Sequence, residues 1–288
     1  MSMFINTNVG AINAHRNLGM NSSSMSKTME KLSSGFRINR AADDAAGLAI
    51  SEKMRFQMNG MNQAMRNAQD GISLIQTAEG ALTEVHSMLQ RLNTLANQSA
   101  NGTYKDTDRA NIQKEVDALL SEINNIADTT NFNGTNLLNA SGSVSFQIGV
   151  DGGTKLAANL VSMKTDDLGG VSVTNASGVT STTGGKLTDI SLSTATGASE
   201  AIKVIENAIN SVSAQRADFG AVQNRLEHTI NNLGVTAENL SASESRIRNA
   251  DMAKEMTDFT RNQILVQAGT SMLAQANSMP QNVLKLLG

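Results

Sequence analysis

Three histidines, the adjacent carboxylates Asp43-Asp44 and the glycine-rich turn Asp151-Gly152-Gly153 are the first residues to weigh for chemistry. His15, His86 and His228 could each act as a base or a metal ligand, but they are far apart in sequence and lie in helical patterns. No H-E-x-x-H, G-x-S-x-G or phosphate-loop motif accompanies them. Asp43-Asp44 could form a metal site or an acid–base pair. With no His or third carboxylate near in sequence, a helix cap or a salt bridge is the expected role. The glycines of Asp151-Gly152-Gly153 suit a turn better than a phosphate. There is no Cys, which removes disulfides, thiol catalysis and thiolate metal sites. We expect no enzyme, no metal and no cofactor.

The rest of the composition favours long helices. Aromatic residues make up 3% of the 288, with no Trp and one Tyr, and the one Pro is Pro280. Buried surface must therefore come from Ile, Leu, Val, Met and Ala. The net charge is −3 with no basic block, so neither nucleic acid nor an anionic membrane is an expected partner. Met1 to Ala14 lacks the basic start and apolar block of a signal peptide, so export would need a different route.

Charge is distributed unevenly. Of 23 basic and 26 acidic side chains, residues 1–26 and 262–288 hold only Arg16 and Lys285. Asn262 to Leu284 contains no Asp, Glu, Lys, Arg or His, yet Gln263, Gln267, Gln275 and Asn277 make it too polar to insert in a membrane. Its apolar residues recur at helical spacing as Leu265, Ala268, Met272, Ala276, Met279, Val283 and Leu286. At the other end, Ile5, Val9 and Ile12, then Met25, Met29 and Leu32, form a weaker stripe. A soluble helix keeps a charged outer face. These two read as terminal helices that pair with each other and pack against copies of themselves.

Between the ends, Ser33-Ser34-Gly35 breaks the first helix, and Asp43 or Asp44 can cap a second that begins near Ala45. Leu82, Val85, Leu89, Leu92 and Ala96 alternate three and four apart, the seam of a coiled coil. Thr107 or Asp108 starts a third helix, with Ile112, Val116, Leu119, Ile123 and Ile126 as its stripe. The period then becomes two around Asp151-Gly152-Gly153, predicting a β-hairpin at about 144–162. Gly169 to Gly197, rich in Gly, Ser and Thr, reads as a surface excursion. From Ile202 to Ile247 the three–four stepping is apolar except at Arg216, Gln223 and Glu244. Asp117 or Glu122 is the expected partner of Arg216. The fold class is mainly α: a long antiparallel coiled-coil bundle formed by the N- and C-terminal halves, with a small central β-hairpin region.

Three runs carry a resemblance. LSSGFRINRAADDAAGLAISEKM at 32–54, FGAVQNRL at 219–226 with Ser245-Arg246-Ile247, and QAGTSMLAQANSMPQNVLKLL at 267–287 stand in the order and spacing of bacterial flagellin. The chain resembles that family over nearly its whole length. The resemblance implies a structural subunit that self-assembles into the helical filament of the bacterial flagellum for swimming. It implies secretion by the flagellar type III apparatus to an extracellular filament. Residues 1–44 with 248–288 would be inner-tube helices. Residues 45–164 with 198–247 would be an outer-tube rod, and 165–197 a short variable surface segment. Implied partners are other subunits in a homopolymer, flagellar cap and hook-associated proteins, and an export chaperone at the C-terminal helix. Two other readings remain at this point, a hook–filament junction protein and a secreted coiled-coil effector.

The implied assembly residues are Ile5, Val9, Ile12, Leu265, Met272, Met279, Val283, Leu284, Leu286 and Leu287. Arg37, Arg40, Asp43 and Asp44 would supply connector and subunit electrostatics. Gln90 to Gln98 aligns with the segment that a flagellin-sensing Toll-like receptor recognises. Arg91 and Leu95 match, Gln90 lies beside them, and Glu115 matches a third contact. Asn93 and Thr94 replace an Arg and a Glu of strongly recognised members. The competing reading makes Leu92 and Leu95 simple core residues.

Overall fold

The protein is seen in a computed structural model that describes residues 7–287 except 140, 169–170, 175–179 and 184–185. For 171–174, 180–183 and 280–287 the backbone alone is described. Helices dominate: α1 (Val9–Ser34), α2 (Ala45–Ala100), α3 (Asp106–Thr129), α4 (Ala195–Arg248) and α5 (Met252–Leu287). Paired strands lie between α3 and α4: β1 (Asn131–Phe132) with β2 (Thr135–Asn136), β3 (Gly142–Gln147) with β4 (Lys155–Leu160), and β5 (Val171–Thr174) with β6 (Thr180–Thr183). All three pairs are antiparallel.

The helix ends follow from side-chain chemistry. The first turn of α1 donates to Asn8 Oδ1 (Ala11 N–H, 3.0 Å), and that of α2 to Asp44 Oδ1 (Gly47 N–H, 2.8 Å). Thr194 Oγ1 and Asp251 Oδ1 accept in the same way at α4 and α5. Each acceptor satisfies an N–H that the helix cannot. α1 stops at Gly35, whose φ of 74° favours glycine and whose N–H returns to Lys31 O. Asp44 is the expected cap. α3, however, begins at Asp106, ahead of the expected Thr107 or Asp108. Asp108 works from inside its first turn, accepting from Lys105 N–H at 3.3 Å.

The chain divides into two compact units, Gly60–Thr236 and Met1–Asn59 with Ala237–Gly288. In the first, α2 contributes Ile75, Ala78, Leu82, Val85, Leu89, Leu92 and Ala96 to a buried core. α3 adds Val116, Leu120, Ile123 and Ala127, and α4 adds Ile205, Val212, Phe219 and Leu226. Each fully buried Leu, Ile or Phe contributes roughly 1.5–3 kcal/mol. α3 runs antiparallel to α2, since Arg109 reaches back to Ser99 O while Arg91 pairs with Glu115. Arg109 is itself buried, and it also bonds Asn101 O and Asp106, closing the turn between the two helices.

The β3–β4 hairpin seats Phe146, Leu156, Ala158 and Leu160 on this core. Asn67 on α2 donates to Gln147 O, and Gln215 on α4 donates to Asn159 O at 2.8 Å, so helices satisfy carbonyls along the hairpin. Gly71 lets α2 approach closely: a Cβ there would stand 3.1 Å from the Phe146 ring. Asn133 and Gly134, at φ 50° and 79°, form the tight turn between β1 and β2.

Two expectations need correction here. The 169–197 excursion is not wholly superficial, because Leu187, Ile190 and Leu192 are buried in the core. Ser99 Oγ donates to Leu192 O at 2.6 Å, and Gln113 Oε1 accepts from Leu192 N–H, so α2 and α3 grip this strand of chain. Residues 169–170, 175–179 and 184–185 of the excursion lie outside the described residues. Arg216 meets neither Asp117 nor Glu122. Its guanidinium lies 3.6 Å from Glu79 of α2, while Asp117 accepts from Gln113 and Glu122 from Asn125.

Candidate assembly surface

In the other unit, α1 and α5 pack directly against each other. They run antiparallel: Asn8 Nδ2 donates to Ala276 O at 2.8 Å, Asn262 Nδ2 to Thr28 Oγ1 at 3.3 Å, and Lys31 faces Glu255 at 3.4 Å. The covered positions along α1 and its cap include Asn8, Ala11, Ala14, Leu18, Asn21, Met25, Thr28 and Leu32. Those of α5 include Phe259, Asn262, Val266, Gly269, Leu273 and Ala276. Both sets step by three and four, the register of a coiled coil. A Cβ on Gly269 would lie 3.2 Å from Leu18, so the helices are close there.

The apolar stripes expected from sequence are mostly not this seam. Val9, Ile12, Leu265, Met272 and Met279 are all between 42 and 66% exposed, and Met20, Met29 and Ile264 join them on the outside. Met25 and Leu32 do face inward. Leu265, Met272 and Met279 are seven apart and so share one edge of α5. Ile5 and the side chains of Val283, Leu284, Leu286 and Leu287 lie outside the described residues. Sequence reading missed the seam because it is built largely from Asn, Ala, Thr and Gly, which a search for apolar periodicity passes over.

The connector from α1 to α2 is organised by backbone contacts. Phe36 bridges Asn249, Arg37 N–H donates to Arg248 O at 2.7 Å, and Ala250 N–H donates to Gly35 O at 2.9 Å. The Arg37 guanidinium donates to Ile247 O at 2.6 Å. Arg40 pairs with Glu30 at 2.8 Å. Arg248 stacks over Phe36, 4.8 Å from the ring centre, and pairs with Glu52 at 2.6 Å. Ile38 is buried beneath this layer. Asp43 Oδ2 accepts from the N–H groups of Arg40 and Asn39. Those two bonds, with Lys27 and Lys31 nearby, hold its carboxyl below the usual 3.8. The adjacent carboxylates thus serve a turn and a cap.

Of the segment expected to meet a receptor, Gln90 and Arg91 are exposed on α2. Arg91 forms an ion pair with Glu115 of α3 at 2.7 Å. Leu95 is 2% exposed and belongs to the core, so it cannot touch a partner while the helices stay packed. His15 is exposed on α1, His86 Nε2 lies 2.9 Å from Gln90 Nε2, and His228 is exposed on α4; among the described residues no group of three His, Asp or Glu could hold a metal.

Comparison with known proteins adds the following. The family model for the bacterial flagellin N-terminal helical region matches residues 5–143, and that for the C-terminal helical region matches 202–287. Flagellin of Bacillus subtilis is 52% identical over 99% of this chain and 100% of its own length. A flagellar filament 33 kDa core protein of Treponema phagedenis is 48% identical over 99% of this chain and 100% of its own. A solved Vibrio parahaemolyticus structure assigned as a flagellar hook-associated protein covers 72% of this chain and 100% of its own, with a TM-score of 0.57 and 12% identity. At that identity the likeness speaks for fold alone.

Proposed function

The chain belongs to the bacterial flagellin family, and from that premise we infer which of its surfaces build the filament. It is a structural subunit of the flagellar filament, the extracellular appendage of swimming motility. Full-length identity to flagellins favours this over a hook–filament junction protein, for which the hook-associated structure offers only a shared fold.

One observation carries the finer reading. The α1–α5 seam covers Leu18, Met25, Leu32, Phe259, Val266 and Leu273 together with small and polar side chains, and leaves a second set of large apolar side chains outside. Val9, Ile12, Leu265, Met272 and Met279 then form the contact surface for neighbouring subunits, extended by Ile5, Val283, Leu284, Leu286 and Leu287. An exposed apolar face of this kind marks an association site. Contacts between different faces of identical subunits repeat into a helical filament when their rotation does not close a ring. Arg37, Arg40, Asp43 and Asp44 hold the connector and present charge at its surface. α5 is also the segment an export chaperone would cover before assembly, and the filament end would meet the cap and hook-associated proteins. Gln90, Arg91 and Glu115 form the exposed patch for a Toll-like receptor, with Leu95 excluded from it.

The test is a set of charge insertions, Val9→Asp, Ile12→Asp and Leu265→Asp, made singly in the full chain. The purified subunit should keep its thermal melt while losing seeded filament growth, read by sedimentation and electron microscopy. Normal filaments from all three variants would overturn the reading.

A further inference from the structure

Six of the ten exposed large apolar side chains described on α1 and α5 are thioethers, Met252 and Met256 among them at 47 and 51%. Met20 and Met29 on α1 and Met272 and Met279 on α5 are 55, 51, 66 and 52% exposed. Their apolar companions Val9, Ile12, Ile264 and Leu265 are hydrocarbons that mild oxidants leave untouched. The chain has 15 Met, no Cys and no Trp, so no thiol or indole competes for an oxidant. Met163, by contrast, is 1% exposed in the core of the other unit.

We propose that these four methionines are modification sites for peroxide in the free subunit, and that their oxidation blocks incorporation into the filament. The proposal rests on the assembly reading above. In each reaction the sulfur lone pair attacks one oxygen of hydrogen peroxide and the O–O bond breaks. That oxygen stays on sulfur as the sulfoxide. The other leaves as hydroxide and takes the proton from the oxygen now bound to sulfur, becoming water. Sulfur loses two electrons and the peroxide gains them.

Position decides the outcome. None of the four lies among the covered seam positions of α1 and α5, where Met25 alone brings a thioether. Oxidation therefore leaves the helix pair intact and alters only the face it offers. A sulfoxide is a strong hydrogen-bond acceptor, and burying it against an apolar neighbour without a donor is unfavourable. Once a subunit is assembled, its neighbours cover the same sulfurs and exclude peroxide. Sensitivity thus belongs to the free subunit and disappears on assembly.

The experiment treats purified full-length subunits and preformed filaments with hydrogen peroxide and reads each methionine by peptide mass spectrometry. Met20, Met29, Met272 and Met279 should oxidise rapidly in subunits and slowly in filaments, with Met163 spared in both. Oxidised subunits should keep their helical circular dichroism and lose seeded polymerisation, and methionine sulfoxide reductases should restore it. Met272→Gln, a polar mimic of the sulfoxide, should reproduce the loss without oxidant. Oxidised subunits that polymerise normally, while their filament sulfurs remain protected, would overturn this proposal alone. Equal oxidation in subunits and filaments would instead overturn the assembly reading beneath it.

Discussion

Replacing Arg216 by Leu should stabilise the Gly60–Thr236 unit. Arg216 sits at a seam position of α4, between buried Val212 and Phe219. Its ion pair with Glu79 is 3.6 Å long, and the two side chains remain 35% and 38% exposed. A pair that wet contributes about 0–1 kcal/mol. Against it stands the Arg216 Nε atom, which is buried and has no hydrogen-bond partner. Such an orphaned donor costs about 1–3 kcal/mol. Leu removes the orphan and adds apolar contact, while Glu79 keeps enough exposure to stay hydrated. The balance is about 1 kcal/mol in favour of Leu, a Tm rise of about 2–4 °C for a unit of this size. Thermal melts of purified monomer, followed by circular dichroism, measure it. A double-mutant cycle with Glu79→Gln isolates the pair, whose coupling should stay under about 1 kcal/mol. A fall of several degrees in the Arg216→Leu melt would refute the reasoning, because it would mean the ion pair outweighs the orphaned nitrogen.

Other changes test other parts of the molecule. Leu192→Ala should cost the central unit about 2–5 kcal/mol, since Leu192 is fully buried, and urea unfolding would read it as a lower midpoint. Gly71→Ala should also destabilise, despite alanine's better helix propensity, because its methyl would press on the Phe146 ring; an unchanged or raised Tm would show that the hairpin can retreat. The Asp43 carboxyl should titrate below 3.8 by NMR. Because its folded pKa is depressed, the stability it brings to the connector is present above the unfolded value and fades as pH falls through the folded one. The protection factors of the Asn39 and Arg40 amides against hydrogen exchange should therefore fall in that acidic window, and Asp43→Asn should lower them at neutral pH.

The parts of the fold legible in sequence are those where packing and apolarity coincide. Along α4 every position in the three–four stepping from Ile202 to Ile247 is buried or half-buried, Arg216, Gln223 and Glu244 included. The hairpin was readable because Leu156, Ala158 and Leu160 alternate with exposed neighbours. The α1–α5 seam was not, because Asn8, Thr28 and Asn262 hold it by hydrogen bonds and Gly269 by closeness. Periodicity instead picked out Val9, Ile12 and Met272, which show where large apolar side chains are and not what covers them. Leu187, Ile190 and Leu192 went unseen as core because each stands alone in a Ser- and Thr-rich run; Ser99 and Gln113 of distant helices hold Ile190 and Leu192, and Leu187 N–H donates to Leu168 O. The partner of Arg216 depended on the azimuth of α2, which no local pattern encodes.

The antiparallel pairing of α1 with α5 has a consequence for when the molecule can form. Asn8 and Ala276 are 268 positions apart, so their contact closes nearly the whole chain into a loop. Closing a flexible loop of that length costs about 5 kcal/mol in chain entropy beyond a constant. Contacts such as Arg91 with Glu115 close only 24 positions and come far more cheaply. Order should therefore arise first within residues 60–236, taking those residues out of the flexible loop, and the terminal pair should zip last. By the same logic it is the first part to open, so the face used for association is governed by the most delayed and most readily reversed step in folding.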